Sequence, residues 1–201
     1  MNEMLCRQIE QATKALLKGE VVAFPTETVM GLGVIYDDYN AYLKMNEIKR
    51  RREDKPYTLM LKDIDEITKY AYVDERVNKV INHFMPGSLT ILLISKDNVP
   101  GYVTHDTGII GIRVPTNIEA KFLLQKVNKP LLVPSANKAG EKPALSSEEV
   151  IKIFPDELGF IIAGISKGEK PSTIVDFTKE EPILVREGPI SFEEILDIYH
   201  G

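Results

Sequence analysis

The sequence predicts an α/β or α+β fold in which helices cover most of a twisted open sheet, because strand-like and helix-like segments alternate along its 201 residues. Leu5, Ile9 and Leu16 recur at helical spacing and Gly19 follows them, which predicts an N-terminal helix over residues 4–18. Short apolar runs that favour β-structure come next, and further helical patterns separate those runs. Such a mixture is typical of a sheet that carries helices on its faces.

The remaining elements follow from the same two periodicities, with boundaries defined to within a few residues. Apolar runs predict strands near residues 20–24, 31–35, 58–62, 89–95, 109–114, 130–134, 160–163, 173–177 and 182–186. Helical spacing predicts helices near residues 39–51, 63–70, 74–84, 117–127, 146–154 and 191–199. The sequence shows no repeat of fixed period and no linker-like stretch, so residues 1–201 are predicted to form a single domain.

Composition and charge narrow the functional classes. The chain has 25 Lys and Arg against 30 Asp and Glu, and its formal net charge of -5 argues against a protein that coats nucleic acid or lies on a membrane surface. Cys6 is the sole cysteine, which excludes an intrachain disulfide and a thiolate metal cluster. The N-terminus lacks a signal-peptide pattern, and no apolar run approaches the roughly 18 residues of a membrane span. We therefore expect a cytoplasmic protein without a membrane partner.

The segment over residues 20–33 is the first candidate for a ligand site. An apolar strand meets Pro25, which cannot donate to a continuing strand ladder, and then the hydroxyls of Thr26 and Thr28. The glycines at the end of the segment allow a ligand to approach the backbone closely. The pattern favours a small polar ligand site, although a plain strand, turn and strand would share it.

A second candidate is the basic segment over residues 49–56, which has five cations in seven residues. Lys49 and Arg51 are two positions apart at the end of a predicted helix, and Pro56 forces a turn soon after them. Separate cations arranged in this way can bind one polyanion, and phosphate is the obvious one. The alternative is a solvated surface whose cations complement the helix dipole.

Further polar side chains follow or interrupt apolar runs elsewhere. Ser135 and Asn137 follow a strand and a proline, an arrangement that also caps turns, and Ser172 and Arg186 lie at strand ends. Arg113 lies within an apolar run, where a charge is costly unless it is paired or binds an anion. No acidic residue near Arg113 in the sequence is its obvious partner, so an anion site and a structural salt bridge both stay open.

These segments occur in a fixed order along the chain. The order is P-T-E-T-x-x-G-L-G from Pro25, K-x-R followed by K-P, P-G-x-L-T from Pro86, then R-V-P, P-S-A-N, S-T-I-V-D and R-x-G. The ordered set resembles the YrdC-like family, the threonylcarbamoyl-AMP synthases, from about Gly19 to Gly188. The set is far more specific than any one of its motifs.

The resemblance implies an enzyme that joins L-threonine, bicarbonate and ATP into threonylcarbamoyl-AMP and pyrophosphate, a nucleotidyltransferase reaction that serves threonylcarbamoyladenosine formation in tRNA. It also implies a concave basic pocket. By motif position, the expected threonine contacts are Thr28, Arg113 and Ser172. The expected ATP contacts are Arg51, Lys55, Ser135, Asn137 and Arg186. Lys49 and Arg51 are expected to act in catalysis by neutralising charge, without a nucleophile or a general-base histidine.

The expected metal is Mg²⁺ carried on the ATP phosphates, with no ligand from the protein. The expected partners beyond the substrates are the proteins that transfer the threonylcarbamoyl group to tRNA, with weak RNA binding as an open expectation. The chain departs from common family residues at Met30, where many relatives have Tyr, and at Met60, where some longer relatives have His. The resemblance is to the short form of the family, without an extra C-terminal domain.

Two alternatives stay open at this point. One is a non-catalytic module that binds RNA, which the acidic net charge and the scarcity of interleaved basic and aromatic residues disfavour. The other is a carbamoyltransferase-type reaction on the same fold, as in hydrogenase maturation proteins. Those proteins work with an additional zinc-finger-like segment, which a chain with one cysteine does not contain.

Overall fold

The computed structural model describes residues 3–50, 56–168 and 170–201. In this part of the chain, nine strands form one mixed sheet with helices on both faces. The strands are β1 (Val22–Phe24), β2 (Gly31–Ile35), β3 (Thr58–Met60), β4 (Leu89–Ile94), β5 (Ile109–Arg113), β6 (Leu131–Leu132), β7 (Phe160–Ile161), β8 (Thr173–Asp176) and β9 (Ile183–Arg186). The helices are α1 (Glu3–Leu17), α2 (Tyr39–Lys49), α3 (Ile67–Tyr70), α4 (Glu75–Phe84), α5 (Gly101–Thr104), α6 (Ile118–Val127), α7 (Ser147–Ile153) and α8 (Phe192–His200).

The strand order in the sheet is β7-β1-β2-β6-β3-β5-β4-β8-β9. Strand β1 pairs with β7, β3 with β5 and β4 with β8 in parallel, and the other neighbours are antiparallel. Strands that are close in sequence are therefore often separated in the sheet. The predicted class, a twisted α/β or α+β sheet flanked by helices, is confirmed.

The two faces of the sheet bury two different apolar cores. Because side chains alternate across a strand, β1 directs Ala23 to one face and Phe24 to the other. Helices α1 and α6 cover the Phe24 face with side chains such as Leu16 and Leu124. Helices α2, α4, α7 and α8 cover the opposite face, where Met45 is fully buried. The larger core thus lies beneath the second group of helices.

The cross-strand register brings distant residues together on the α1 and α6 face of the sheet. Met60 on β3 is opposite Arg113 on β5. Thr90 on β4 is opposite Ile174 on β8, which in turn is opposite Arg186 on β9. Residues opposite one another in a ladder share a face, so this half of the sheet presents a row of polar and apolar groups that line a cavity instead of packing beneath a helix.

The predicted elements match the observed ones within a few residues, with three differences. Helix α2 ends at Lys49, because Arg50 adopts a left-handed conformation with φ of 51° as its C-cap. The helix predicted over 63–70 is split into a 3₁₀ helix at Ile64–Glu66 and the short α3. Helix α5 has only four residues, too few to show a periodic pattern. Across the described ranges, no helix is both long and apolar enough to cross a membrane.

Candidate active site

A cavity of about 490 Å³ opens on the sheet face described above, a size suited to a small-molecule site. Its polar lining consists of Thr26, Thr28, Tyr57, Thr58, Thr90, Arg113, Ser135, Ser172 and Arg186. Its remaining lining consists of Val29, Met30, Gly31, Pro56, Met60, Leu92, Val133, Pro134, Pro171, Ile174 and Val185. The cavity therefore gathers residues from strand ends and loops that lie far apart in the sequence.

Arg113 is held at the cavity wall by three acceptors. The residue is buried, with 6% relative exposure, and its Nη2 lies 2.7 Å from Glu27 Oε1 and 3.0 Å from Thr28 Oγ1. Its Nε donates to the backbone carbonyl of Gly87 at 3.2 Å. Glu27 is the ionic partner that the local sequence around Arg113 does not reveal. A structural salt bridge and a cavity position are thus both present at this residue.

Glu27 also connects this arginine to the start of helix α6. Its second carboxylate oxygen, Oε2, accepts from the backbone N–H of Asn117 at 3.2 Å. The Asn117 side chain in turn caps α6 by accepting from the N–H of Ala120. The carboxylate is therefore fixed at both oxygens, which fixes the guanidinium plane of Arg113.

Arg186 is the second guanidinium group at the cavity. Its Nε and Nη2 donate to the carbonyl of Ser172 at 3.0 and 2.9 Å, and Nη2 also contacts Ser172 Oγ at 3.2 Å. Within the described ranges, no carboxylate forms an ion pair with Arg186. Burial, and then the charge of Arg113, lower the pKa of Arg186. Arg186 is an exposed cation at the cavity, and an anionic ligand there would give it the charged partner that the described residues do not provide.

A pair of hydroxyls lies next to Arg186. Thr90 Oγ1 and Ser172 Oγ are 2.8 Å apart, and both side chains are buried at the cavity. Thr90 belongs to the P-G-x-L-T motif, yet its hydroxyl was not among the predicted site residues. The motif placed it on a strand, and only the pairing of β4 with β8 shows that it meets Ser172.

Lys49 lies behind the cavity wall. Its ammonium, with 2% relative exposure of the residue, donates to the carbonyl oxygens of Ser135 and Asn137 at 2.6 and 2.7 Å and to Asn137 Oδ1 at 3.2 Å. Ser135 Oγ donates to the same Oδ1 at 2.6 Å. Ser135 faces the cavity, whereas Lys49 and Asn137 are not part of its lining. The roles predicted for Lys49 and Asn137 stay predictions. The structure adds that Lys49 supports the loop that contains Ser135 and Asn137.

The predicted residues thus fall into three groups. The structure brings Thr28, Arg113, Ser135, Ser172 and Arg186 together around one cavity. It places Lys49 and Asn137 directly behind Ser135. The predicted contacts Arg51 and Lys55 lie outside the described residues, as does most of the basic segment. The described lining contains two cations, so the basic character of the whole pocket stays a prediction.

Close backbone packing explains the glycine of the R-x-G motif. A Cβ atom on Gly188 would lie 2.2 Å from the backbone nitrogen of Thr173 and 2.6 Å from the carbonyl oxygen of Pro171. Both distances are far inside van der Waals contact, and neither neighbour is a flexible side chain. Gly188 therefore allows the chain to pass directly over the segment that presents Ser172 to the cavity.

Comparison with known proteins agrees with this geometry. The Sua5/YciO/YrdC family model, whose description is "Telomere recombination", matches residues 14–188. A Methanocaldococcus jannaschii protein that is provisionally named threonylcarbamoyl-AMP synthase is 34% identical over 188 residues, which cover 93% of this chain and 88% of the relative. Escherichia coli K12 YciO, whose name states no activity, is 33% identical over 184 residues, with 90% of this chain and 89% of the relative covered.

A solved structure shows the same similarity in three dimensions. The crystal structure of Pyrococcus abyssi Sua5 complexed with L-threonine superposes with a TM-score of 0.90 at 32% identity, covering 94% of this chain and 56% of that one. The family match spans most of the sequence and every motif from P-T-E-T to R-x-G. The chain belongs to the Sua5/YciO/YrdC family.

Proposed function

We propose that this protein is a threonylcarbamoyl-AMP synthase, which converts L-threonine, bicarbonate and ATP into threonylcarbamoyl-AMP and pyrophosphate. The observation that carries the proposal is the cavity in which two guanidinium groups and a set of buried hydroxyls meet on one sheet face. Family membership supports it, as does the structural similarity to a Sua5 protein complexed with L-threonine. The reaction class is that of a nucleotidyltransferase.

The reaction needs two bond-forming steps, and both balance without a covalent enzyme intermediate. The neutral amine of threonine adds to the carbon of bicarbonate, with loss of water, and gives a carbamate. A carbamate oxygen then attacks the α-phosphorus of ATP, and pyrophosphate leaves with the electron pair of the broken P–O bond. The protein holds the two anions in line and neutralises charge at phosphorus.

The proposed reaction requires that the cavity bind both substrates. We assign the amino acid to Thr28, Arg113 and Ser172, which all line the cavity, with Glu27 paired to Arg113. We assign the nucleotide to Ser135 and Arg186, which line the cavity, and to Asn137 behind Ser135, together with Arg51 and Lys55. Arg186 forms no ion pair with a carboxylate among the described residues, and its charge suits a phosphate group. Lys49 and Arg51 lie in sequence where the α2 helix ends near this nucleotide side.

The proposal includes components beyond the cavity. Mg²⁺ enters bound to the phosphate oxygens of ATP, the hard oxygen ligands that it prefers. The product passes to proteins that transfer the threonylcarbamoyl group to tRNA, and the reaction takes place in the cytoplasm.

Release of pyrophosphate tests the proposed reaction. The purified protein is incubated with ATP and Mg²⁺, with L-threonine and bicarbonate present together, each alone, or both absent. We expect release only when both are present. Release without threonine would indicate a plain ATP pyrophosphohydrolase, and transfer of a carbamoyl group from carbamoyl phosphate would indicate the carbamoyltransferase alternative.

We expect the rate of pyrophosphate release to be highest with threonine, lower with serine and far lower with valine. Met30 and Met60 line the cavity and offer no strong hydrogen bond, so polar selection rests on residues such as Thr28 and Ser172. Loss of one methyl group costs about 1–3 kcal/mol, whereas an apolar analogue leaves buried polar groups unpaired and is rejected more strongly. Pyrophosphate release at equal concentrations of the three amino acids measures the ranking. Equal rates with valine and threonine would contradict the polar assignment.

A further inference from the structure

The hydroxyls of Thr26 and Thr28 form the polar floor beside Arg113. The residues have 3% and 1% relative exposure, both line the cavity, and their Oγ1 atoms are 3.0 Å apart. Either oxygen can be the donor in a contact between two hydroxyls. The other contacts of the two side chains decide which one it is.

The Thr26 hydroxyl donates its proton to a backbone carbonyl. Thr26 Oγ1 lies 2.7 Å from the backbone carbonyl oxygen of Val29, and a carbonyl oxygen only accepts. The same Oγ1 accepts from the backbone N–H of Thr28 at 3.1 Å. With its single proton directed at Val29, Thr26 must accept in the contact between the two hydroxyls. Thr28 is therefore the donor in that contact.

With this assignment, one lone pair of the Thr28 hydroxyl can still accept a hydrogen bond. Its proton is directed at Thr26, and one of its lone pairs accepts from Arg113 Nη2 at 3.0 Å. The second lone pair of Thr28 Oγ1 has no donor among the described residues. Because the side chain lines the cavity, that lone pair is available to an N–H or O–H group of a ligand and repels a carboxylate or phosphate oxygen.

The hydroxyl pair of Thr90 and Ser172, in contrast, can donate a hydrogen bond to a ligand. The two hydroxyls have two protons and share one contact of 2.8 Å, and Ser172 Oγ also accepts from Arg186 Nη2. One proton of the pair consequently has no acceptor among the described residues. The cavity thus has an accepting end at Thr28 and a donating end at Thr90 and Ser172, and the ligand must match both.

We propose that Thr26 is a positioning residue that makes Thr28 an obligatory hydrogen-bond acceptor, and that the ligand group at Thr28 is an N–H or O–H donor. This proposal rests on the proposed function, in which the donor is either the amine or the side-chain hydroxyl of the amino acid. The carboxylate of the amino acid then lies toward Arg113 and the Thr90 and Ser172 pair. Thr26 acts through Thr28 and does not itself need to touch the substrate.

The test compares Thr26→Val, which keeps the side-chain shape and removes the hydroxyl, with Thr26→Ser, which keeps the hydroxyl. In Thr26→Val the Thr28 proton loses its acceptor and is free to turn toward the cavity. We expect the KM for L-threonine to rise about tenfold, the value of one hydrogen bond, with the KM for ATP changed less than about twofold. We expect Thr26→Ser to stay close to the parent.

Turnover with L-valine then identifies the donor. If the substrate hydroxyl binds Thr28, Thr26→Val raises the KM for threonine but not the KM for valine. The preference for threonine over valine then becomes smaller. If the substrate amine binds Thr28, Thr26→Val raises the KM for both amino acids by the same factor. An unchanged KM for threonine in Thr26→Val, an equal rise for ATP, or a Thr26→Ser variant that behaves like Thr26→Val would each overturn the proposal.

Neutron diffraction from deuterated crystals of the parent tests the hydroxyl direction independently of any activity. We expect the Thr28 hydroxyl deuteron to lie between Thr28 Oγ1 and Thr26 Oγ1. A deuteron directed into the cavity would overturn the inference even in an active enzyme. The same deuteron directed at Thr26 in a protein without threonine-dependent pyrophosphate release would leave Thr28 an acceptor and refute the proposed function instead.

Discussion

Replacing Arg113 with alanine is expected to weaken L-threonine binding by about 100-fold and ATP binding by less than about threefold. Removing one partner of a buried, hydrogen-bonded charge pair costs about 2–5 kcal/mol, which sets the size of the first effect. The second is small because ATP is assigned to Ser135, Asn137 and Arg186 and not to Arg113. Calorimetric titration of each ligand into the variant and the parent measures both.

The geometry of Arg113 explains why it can bind a carboxylate while already paired. Nε and Nη2 are occupied by Gly87, Glu27 and Thr28, but no described residue accepts from Nη1. A guanidinium group has five N–H donors in a fixed plane, so an orientation fixed by Glu27 leaves part of that plane for the ligand. Arg113→Lys is expected to restore binding only partly, because an ammonium lacks the planar fork.

A second variant separates binding from folding. Arg113→Ala leaves the Glu27 carboxylate without its cation, and an uncompensated buried charge destabilises the native state. The double variant Arg113→Ala, Glu27→Gln removes both charges, and we expect it to regain stability without regaining threonine affinity. Equal losses of threonine and ATP affinity in the folded double variant would show that Arg113 is structural only.

The pairing of Arg113 with Glu27 also marks the limit of what the sequence reveals. Charge in an apolar run predicts a partner or an anion, and both possibilities stay open because the two residues are 86 positions apart. The local pattern places Arg113 on a strand and Glu27 between two strands, and in the structure Arg113 ends β5 and Glu27 lies in the connection from β1 to β2. Their contact depends on the order of strands in the sheet, and strand order is not a property of local periodicity.

The helices and strands themselves were predictable because their signals are local. Alternation, helical spacing and glycine or proline breaks occur within a dozen residues of each element. Where the signal was weak, the prediction was less exact or silent: α2 ends at Lys49 and not near residue 51, and the four-residue α5 was not predicted. The left-handed C-cap of α2 is formed by an arginine instead of the usual glycine, so the sequence contains no stop signal there.

The candidate site was partly predictable for a different reason. The ordered motifs identified Thr28, Ser135, Ser172 and Arg186, which the structure places around one cavity. They did not single out Thr90, whose role depends on its contact with Ser172 across β4 and β8. The direction of a hydrogen bond depends on contacts between residues distant in sequence even more strongly than the position of a residue does.

Replacing Lys49 with alanine is expected to lower turnover at least tenfold and the free energy of unfolding by about 2–4 kcal/mol. The buried ammonium donates to the carbonyls of Ser135 and Asn137, and its loss leaves buried acceptors unpaired, each of which costs about 1–3 kcal/mol. The lower turnover follows because Ser135 loses the support that holds it at the nucleotide side of the cavity. Steady-state kinetics and urea denaturation measure the two effects.

The neighbouring exposed cation provides the matched control for Lys49. Arg50→Asn removes a charge one position away and keeps a side chain that tolerates the left-handed conformation, so we expect little change in stability or turnover. For Lys49→Ala, the KM for ATP should rise more than the KM for L-threonine, since Ser135 lies on the nucleotide side. A variant that loses stability but turns over ATP like the parent, per folded molecule, would show that Lys49 supports the loop without contributing to catalysis.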